Sequence, residues 1–193
     1  MRLNLGCGDD VKDGYVNVDF RPVHPGVVVA DLASFPWQWK DETVDEVLMY
    51  DFLEHFPYRS TMPMLNEVWR ILKMGGSVEI QVPDFEQCAR AILKLSPYIC
   101  NVCEKIVGPL LNKDRGCLNC NADLNNVAAA GVRRLYGGQD YVGNFHQTTF
   151  TPELLEGLLH SAGFMNFEYL ESDHQKRNWN FKVKAIKVDP WRD

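Results

Sequence analysis

The sequence predicts an α/β fold: a mostly parallel, doubly wound sheet closed by a C-terminal antiparallel hairpin and interrupted by a cysteine-rich insertion. Short apolar runs alternate with amphipathic stretches, the order of βαβ units. Three of the early runs end near an aspartate, Asp19, Asp31 and Asp51. The last two runs are joined only by a polar stretch, which suits a hairpin.

Residues 2–5 form the first expected strand. "YVNVDF" ends near Asp19, "GVVVADL" near Asp31 and "VDEVLMYD" near Asp51. Between Tyr58 and Lys73 the apolar Leu65, Val68, Trp69 and Leu72 recur at helical spacing, and Gly75 with Gly76 is expected to stop that helix. "SVEIQVPD" alternates as a strand, and Asp84 can cap a helix running to about Leu95. From about 96 to 143 the pattern loosens into an insertion that includes a helix over Asp123–Tyr136 and the glycine-rich "YGGQDYVGNFHQ". "TPELLEGLLHSAG" has Thr151 at the N-cap, Pro152 in the first turn and Gly163 past the end. "FMNFEYLES" and "WNFKVKAIKVD" are the hairpin strands, joined across Ser172 to Asn178.

A chain of 193 residues, 46% hydrophobic, suits one domain over residues 1–193. The formal charge of -6 argues against a protein that coats nucleic acid, without excluding a nucleic-acid substrate. No apolar run is long enough to span a bilayer, no signal peptide is recognisable, and the expected address is the cytoplasm.

The opening "LNLGCGDD" puts bare backbone straight after a strand, with Asp19 at the end of the next one. Glycine lets the main chain approach a ligand, and such an acid can accept hydrogen bonds from a ribose. The third glycine of a dinucleotide fingerprint is replaced by Val11, and Asp19 arrives too early for a normal first helix. A pyrophosphate cradle is disfavoured.

"LNLGCGDD", "VNVDF", "VVADL", "DFLEHF", "LNEVWRILKMGGSVEIQVPDF" and "FTPELLEGLLHSAGF" together resemble a class I S-adenosylmethionine-dependent methyltransferase, with its Rossmann-like fold. The resemblance is closest to small methyltransferases that open with "LNLGCG". It implies Gly6 and Gly8 against the methionine and ribose, Asp19 on the ribose hydroxyls, Asp31 with Leu32 at the adenine, and Asp51 facing the methionine and the reacting methyl. Asn4 and Cys7 belong to the same cofactor segment. Asn4 stands where the family usually has an acid, and Cys7 reads as a small packing residue. Acids at strand ends also cap turns without any ligand.

Methyl transfer from a sulfonium is a direct displacement, so alignment matters most. A hydroxyl acceptor must also lose its proton, for which histidine is suited. The candidates are His55 in "DFLEHF" and His146 in "GNFHQTTF", with a structural role as the alternative for each. Trp37, Trp39 and Tyr58 could wall the site, although aromatics more often pack in the core.

Cys100-x2-Cys103 and Cys117-x2-Cys120, thirteen residues apart, match a structural zinc ribbon with no open coordination position. Free thiols or an iron–sulfur cluster are the alternatives. Seven Lys or Arg against five Asp or Glu over residues 86–140 leave no excess positive charge once four thiolates hold one zinc. The expected function is S-adenosylmethionine-dependent methyl transfer, to oxygen or nitrogen of a small-molecule or sugar-like acceptor. The alternative is a zinc-knuckle binding module, or a nucleic-acid methyltransferase with a weakened cofactor site.

Overall fold

A computed structural model describes residues 1–93, 98–99, 106–107, 124–141, 143–172 and 179–189. Cys100, Cys103, Cys117 and Cys120, the expected zinc ligands, lie outside the described residues.

Seven strands form one sheet: β1 (Arg2–Leu5), β2 (Val16–Asp19), β3 (Val28–Val29), β4 (Val44–Tyr50), β5 (Leu72–Pro83), β8 (Phe164–Leu170) and β9 (Asn180–Lys187). Their order is β3-β2-β1-β4-β5-β9-β8. The first five are parallel, and β9 runs antiparallel between β5 and β8. The expected hairpin is therefore the closing edge. A two-stranded ribbon, β6 (Tyr98–Ile99) with β7 (Ile106–Val107), stands apart.

Alternation along the strands sorts side chains by face. Leu3, Leu5, Val47, Met49, Val78, Ile80 and Val82 point to one face, where they meet helix α1 (Tyr58–Ile71) and helix α4 (Pro152–Ser161). Met64, Leu65, Val68 and Ile71 of α1 and Leu155 and Leu159 of α4 are fully buried there. Each such side chain contributes about 1.5–3 kcal/mol. Asp84 caps α2 (Phe85–Ile92) by accepting from the Gln87 amide, and Thr151 caps α4 by accepting from Leu154.

Double winding is not what the described residues show. Among them the helices on the core cover one face, because the connections β1–β2, β2–β3 and β3–β4 contain no helix. The opposite face carries polar pairs instead. The Tyr15 hydroxyl donates to Glu46 and that of Tyr50 to Glu79, both at 2.7 Å. Lys184 also reaches Glu79 at 3.1 Å.

Other boundaries differ from expectation. α1 ends at Ile71, ahead of Gly75 and Gly76, which lie inside β5 where its register with β4 shifts. A Cβ at Gly76 would sit 2.9 Å from the Lys73 carbonyl, so this bulge needs a glycine and the pair is not a helix stop. β3 is only two residues long, leaving Asp31 beyond it in a turn. α2 ends at Ile92, short of Leu95, and α3 covers Leu124–Tyr136, close to expectation. No helix among the described residues is long and apolar enough to cross a membrane.

Candidate active site

A cavity of about 650 Å³ opens at the carboxyl ends of β1, β2 and β4, lined by Gly6, Gly8, Asp19, Asp31, Leu32, Asp51, Phe52 and His55. Open parallel sheets bind ligands at this end. The sequence places these residues at strand ends, and the parallel register brings them together.

Gly6 has φ +67°, and a Cβ there would lie 2.0 Å from the Phe52 ring. The backbone thus passes against the cavity wall where no side chain fits. Asp19 is buried, accepting from the amides of Gly8 at 3.0 Å and Arg21 at 2.9 Å. A carboxylate has about four acceptor positions, so two bonds leave capacity toward the cavity. Asp31 is exposed, and its bonds from Ser34 and the Ala33 amide hold its carboxyl below the usual range.

Asn4 and Cys7 do not line the cavity; both are buried beneath the loop. Asn4 Nδ2 donates to the Asp10 carbonyl at 2.8 Å and to Asn17 Oδ1 at 2.9 Å. Asn17 in turn bonds the Lys12 amide and carbonyl. Two side-chain amides thus pin the chain where a first helix would otherwise stand. Burial pushes the Cys7 thiol up to about 11, a packing residue and not a nucleophile. Trp37 and Trp39 lie in the core, while Tyr58 is exposed.

A second cavity of about 470 Å³ shares Asp51 and His55 with the first. Its walls add Arg133, Arg134, Gly137, Gly138, Asn144, His146 and Trp179. Most of these come from α3 and the glycine-rich loop, within the stretch expected as an insertion. Asp51 sits at φ +47° and accepts from Gln81 at 3.1 Å and from Asn180 at 2.5 Å. Arg134 donates to Asn180 at 2.8 Å, so β4, β5, β9 and α3 meet in one polar chain.

His55 and His146, ninety-one positions apart, meet edge to face with ring centroids 4.8 Å apart. The Gln147 and Thr148 amides both donate to the Glu54 carbonyl, and Gln147 Nε2 donates to the His55 carbonyl at 2.7 Å. These bonds stitch the turn after β4 to the segment before α4. His146 Nδ1 donates to the Arg134 carbonyl at 2.8 Å and His55 Nδ1 to that of Phe145 at 3.3 Å. Burial lowers both imidazoles, His146 to about 4 with help from His55, so both are neutral at physiological pH. Burial, and then Asp51, pushes the Glu54 carboxyl well above its usual range. Glu54, Arg134, Asn144 and Trp179 are site residues that strand-end reasoning misses. Of these, only Glu54 had a signal, its place beside His55 in "LEHF".

The two cavities, sharing Asp51 and His55, lie at the carboxyl end of a central parallel sheet, where open α/β sheets bind their ligands. Residues 3–80 match the family model described as a methyltransferase domain. The fold matches an S-adenosylmethionine-dependent methyltransferase from Archaeoglobus fulgidus (TM-score 0.58, 14% identity, 96% of this chain and 85% of that one). It also matches one from Methanosarcina mazei (0.57, 17%, 97% and 92%). A third match is the 1,6-didemethyltoxoflavin-N1-methyltransferase of Burkholderia thailandensis, solved with its acceptor and S-adenosylhomocysteine (0.54, 16%, 97% and 71%). No curated protein matches the chain. Residues 3–80 thus match a methyltransferase domain, and the chain has the fold of S-adenosylmethionine-dependent methyltransferases.

Proposed function

We propose that the chain transfers the methyl group of S-adenosylmethionine to a small-molecule acceptor held in the second cavity. One observation carries this reading: the two cavities meet at Asp51 and His55, where β4 ends. The first has the size and lining for the cofactor. The second, at about 470 Å³, lies within the range of small-molecule sites. The Burkholderia enzyme, with acceptor and cofactor product bound together, is a precedent for such a pairing.

In this reading the Gly6–Gly8 backbone lies along the methionine and ribose, Asp19 accepts from the ribose hydroxyls, and Asp31 with Leu32 borders the adenine. Asp51 faces the cofactor's ammonium and sulfonium, charges that a carboxylate offsets. His55 and His146 stand on the acceptor side of the transferred methyl. Catalysis rests mainly on holding acceptor and methyl in line and excluding water. The stretch 96–143 is part of this one domain, since its described portion walls the acceptor cavity. The CxxC spacing of Cys100, Cys103, Cys117 and Cys120 supports a structural zinc in that stretch.

The test is calorimetric titration of the full, metal-replete chain with S-adenosylhomocysteine. Micromolar binding is expected, weakened about tenfold or more in Asp19→Ala as a charge-assisted hydrogen bond is lost. Absence of binding to the intact chain would sink the proposal.

A further inference from the structure

We propose that Glu54, His55 and His146 bind a divalent transition-metal ion at the junction of the two cavities. The three side chains offer one carboxylate oxygen and two imidazole nitrogens, all within 4.8 Å of one another. Two histidines and a carboxylate form a donor set suited to zinc, iron or cobalt.

Glu54 carries the argument. Its side chain is 1% exposed, and neither carboxylate oxygen has a hydrogen-bond partner among the described residues. Buried carboxyl groups are normally paired or coordinate a metal. Among the described residues, neither Arg134 nor His146 pairs with it. Arg134 acts on Glu54 electrostatically but donates through Nε to Asn180. His146 Nε2 stands 4.0 Å from Glu54 Oε1, too far for a hydrogen bond.

The histidines are set as ligands usually are. A carbonyl oxygen only accepts, so the ring nitrogen facing it must carry the proton. That puts the proton of His146 on Nδ1, toward the Arg134 carbonyl at 2.8 Å, and that of His55 on Nδ1, toward Phe145. In His146 this leaves the lone pair on Nε2, the nitrogen that faces Glu54, and metal-bound histidines commonly donate their other nitrogen in this way. The bonds from Gln147 and Thr148 to the Glu54 carbonyl hold the two contributing segments together. Metal–ligand bonds of about 2.0–2.2 Å require the side chains to draw in by rotation, with no change of backbone pairing.

Both histidines line the second cavity, so three protein ligands leave a position there for an acceptor oxygen or nitrogen. This extends the proposed methyl transfer. A metal-bound hydroxyl is acidified by the ion, its proton passes to solvent, and the histidines serve as ligands in place of a base.

The experiment is equilibrium dialysis of the full chain with Co²⁺, read by metal content and absorption spectrum, beside calorimetry with S-adenosylhomocysteine. Thiolate-to-cobalt charge-transfer bands report ions on the cysteines; weaker visible bands without them report the nitrogen–oxygen site. The wild type is expected to bind one Co²⁺ with this second signature. His146→Ala and Glu54→Gln should weaken that ion about 100-fold or more while keeping cofactor-product binding and the cysteine signal. If His146→Ala does not fold, Glu54→Gln decides, because it removes the carboxylate ligand while keeping the shape. Equal Co²⁺ uptake in wild type and Glu54→Gln, or wild-type uptake on thiolates alone, overturns the proposal. Loss of cofactor-product binding in wild type with Co²⁺ uptake intact would instead overturn the methyl-transfer reading and leave the metal site standing.

Discussion

Asn4 shows how one residue changes meaning between sequence and structure. In the sequence it stands where an acid is usual. In the fold it is a donor: its Nδ2 bonds the Asp10 carbonyl and Asn17 Oδ1 and so secures the loop carrying Gly6 and Gly8. A carboxylate cannot donate. Asn4→Asp should therefore set an acceptor against the Asp10 carbonyl and cost about 1–3 kcal/mol, the penalty of a buried polar group left unsatisfied. Urea unfolding measures this, and unchanged stability would remove Asn4 from that role. That Gly6, Gly8, Asp19, Asp31, Leu32 and Asp51 line one cavity was legible in part from glycines and acids at strand ends, and for Leu32 and Asp51 from the family resemblance. Arg134 and Trp179 were not, since neither has a local pattern and only long-range packing brings them to the cavity. Glu54 had a neighbour in the sequence, but its lack of a hydrogen-bond partner among the described residues is visible only in three dimensions.

Strands and caps read well at the scale of elements because each has a short-range cause. Asp84, Thr151 and the β8–β9 hairpin are examples. The turn at Gly75–Gly76 misled because a close approach to the Lys73 carbonyl demands glycine inside a strand as readily as after a helix. α3 depends on a similar approach. A Cβ at Gly131 would lie 3.0 Å from the Cys88 carbonyl and 2.9 Å from Ile92. Gly131→Leu should force α3 from α2 at about 1–3 kcal/mol and distort the second cavity, leaving S-adenosylhomocysteine affinity unchanged. Thermal melts and calorimetry test the two halves separately, and loss of cofactor-product binding in a folded variant contradicts it.

α1 is also tied down by charge. Glu67 accepts from the Trp37 amide at 2.6 Å and from Arg70 at 2.5 and 2.9 Å. Arg70 holds the Glu67 carboxyl below its usual range. A carboxyl depressed on folding stabilises fully above its unfolded pKa, and that contribution fades as pH falls through the folded value. Glu67→Gln should thus cost about 1–3 kcal/mol near neutrality, and the gap to wild type should close below the unfolded carboxyl pKa of about 4.3. Denaturant midpoints across pH check the sign; a gap that widens in acid refutes it.

On the scale of the whole molecule, the helix-free connections leave one sheet face to polar pairs, and the first cavity spans β1 to β4 with Tyr141 and Gly143 of the distant glycine-rich loop. Sequence order did not show this span, because it arises from strand order and from a loop folding back from beyond α3. A ligand in that cavity touches segments far apart in the chain, residues 6–56 together with Tyr141 and Gly143, so its binding energy should stabilise the fold as a unit. At a hundredfold excess over its Kd, S-adenosylhomocysteine adds about 2.7 kcal/mol. For a chain of this size each kcal/mol moves Tm by about 2–4 °C, giving a rise of about 5–11 °C. Asp19→Ala, tenfold weaker at the same ligand concentration, keeps about 1.4 kcal/mol, half the shift. Differential scanning fluorimetry of both proteins across ligand concentration measures this. A wild-type melt indifferent to the ligand, or an equal rise in the variant, would separate the cavity from the cofactor or Asp19 from its binding.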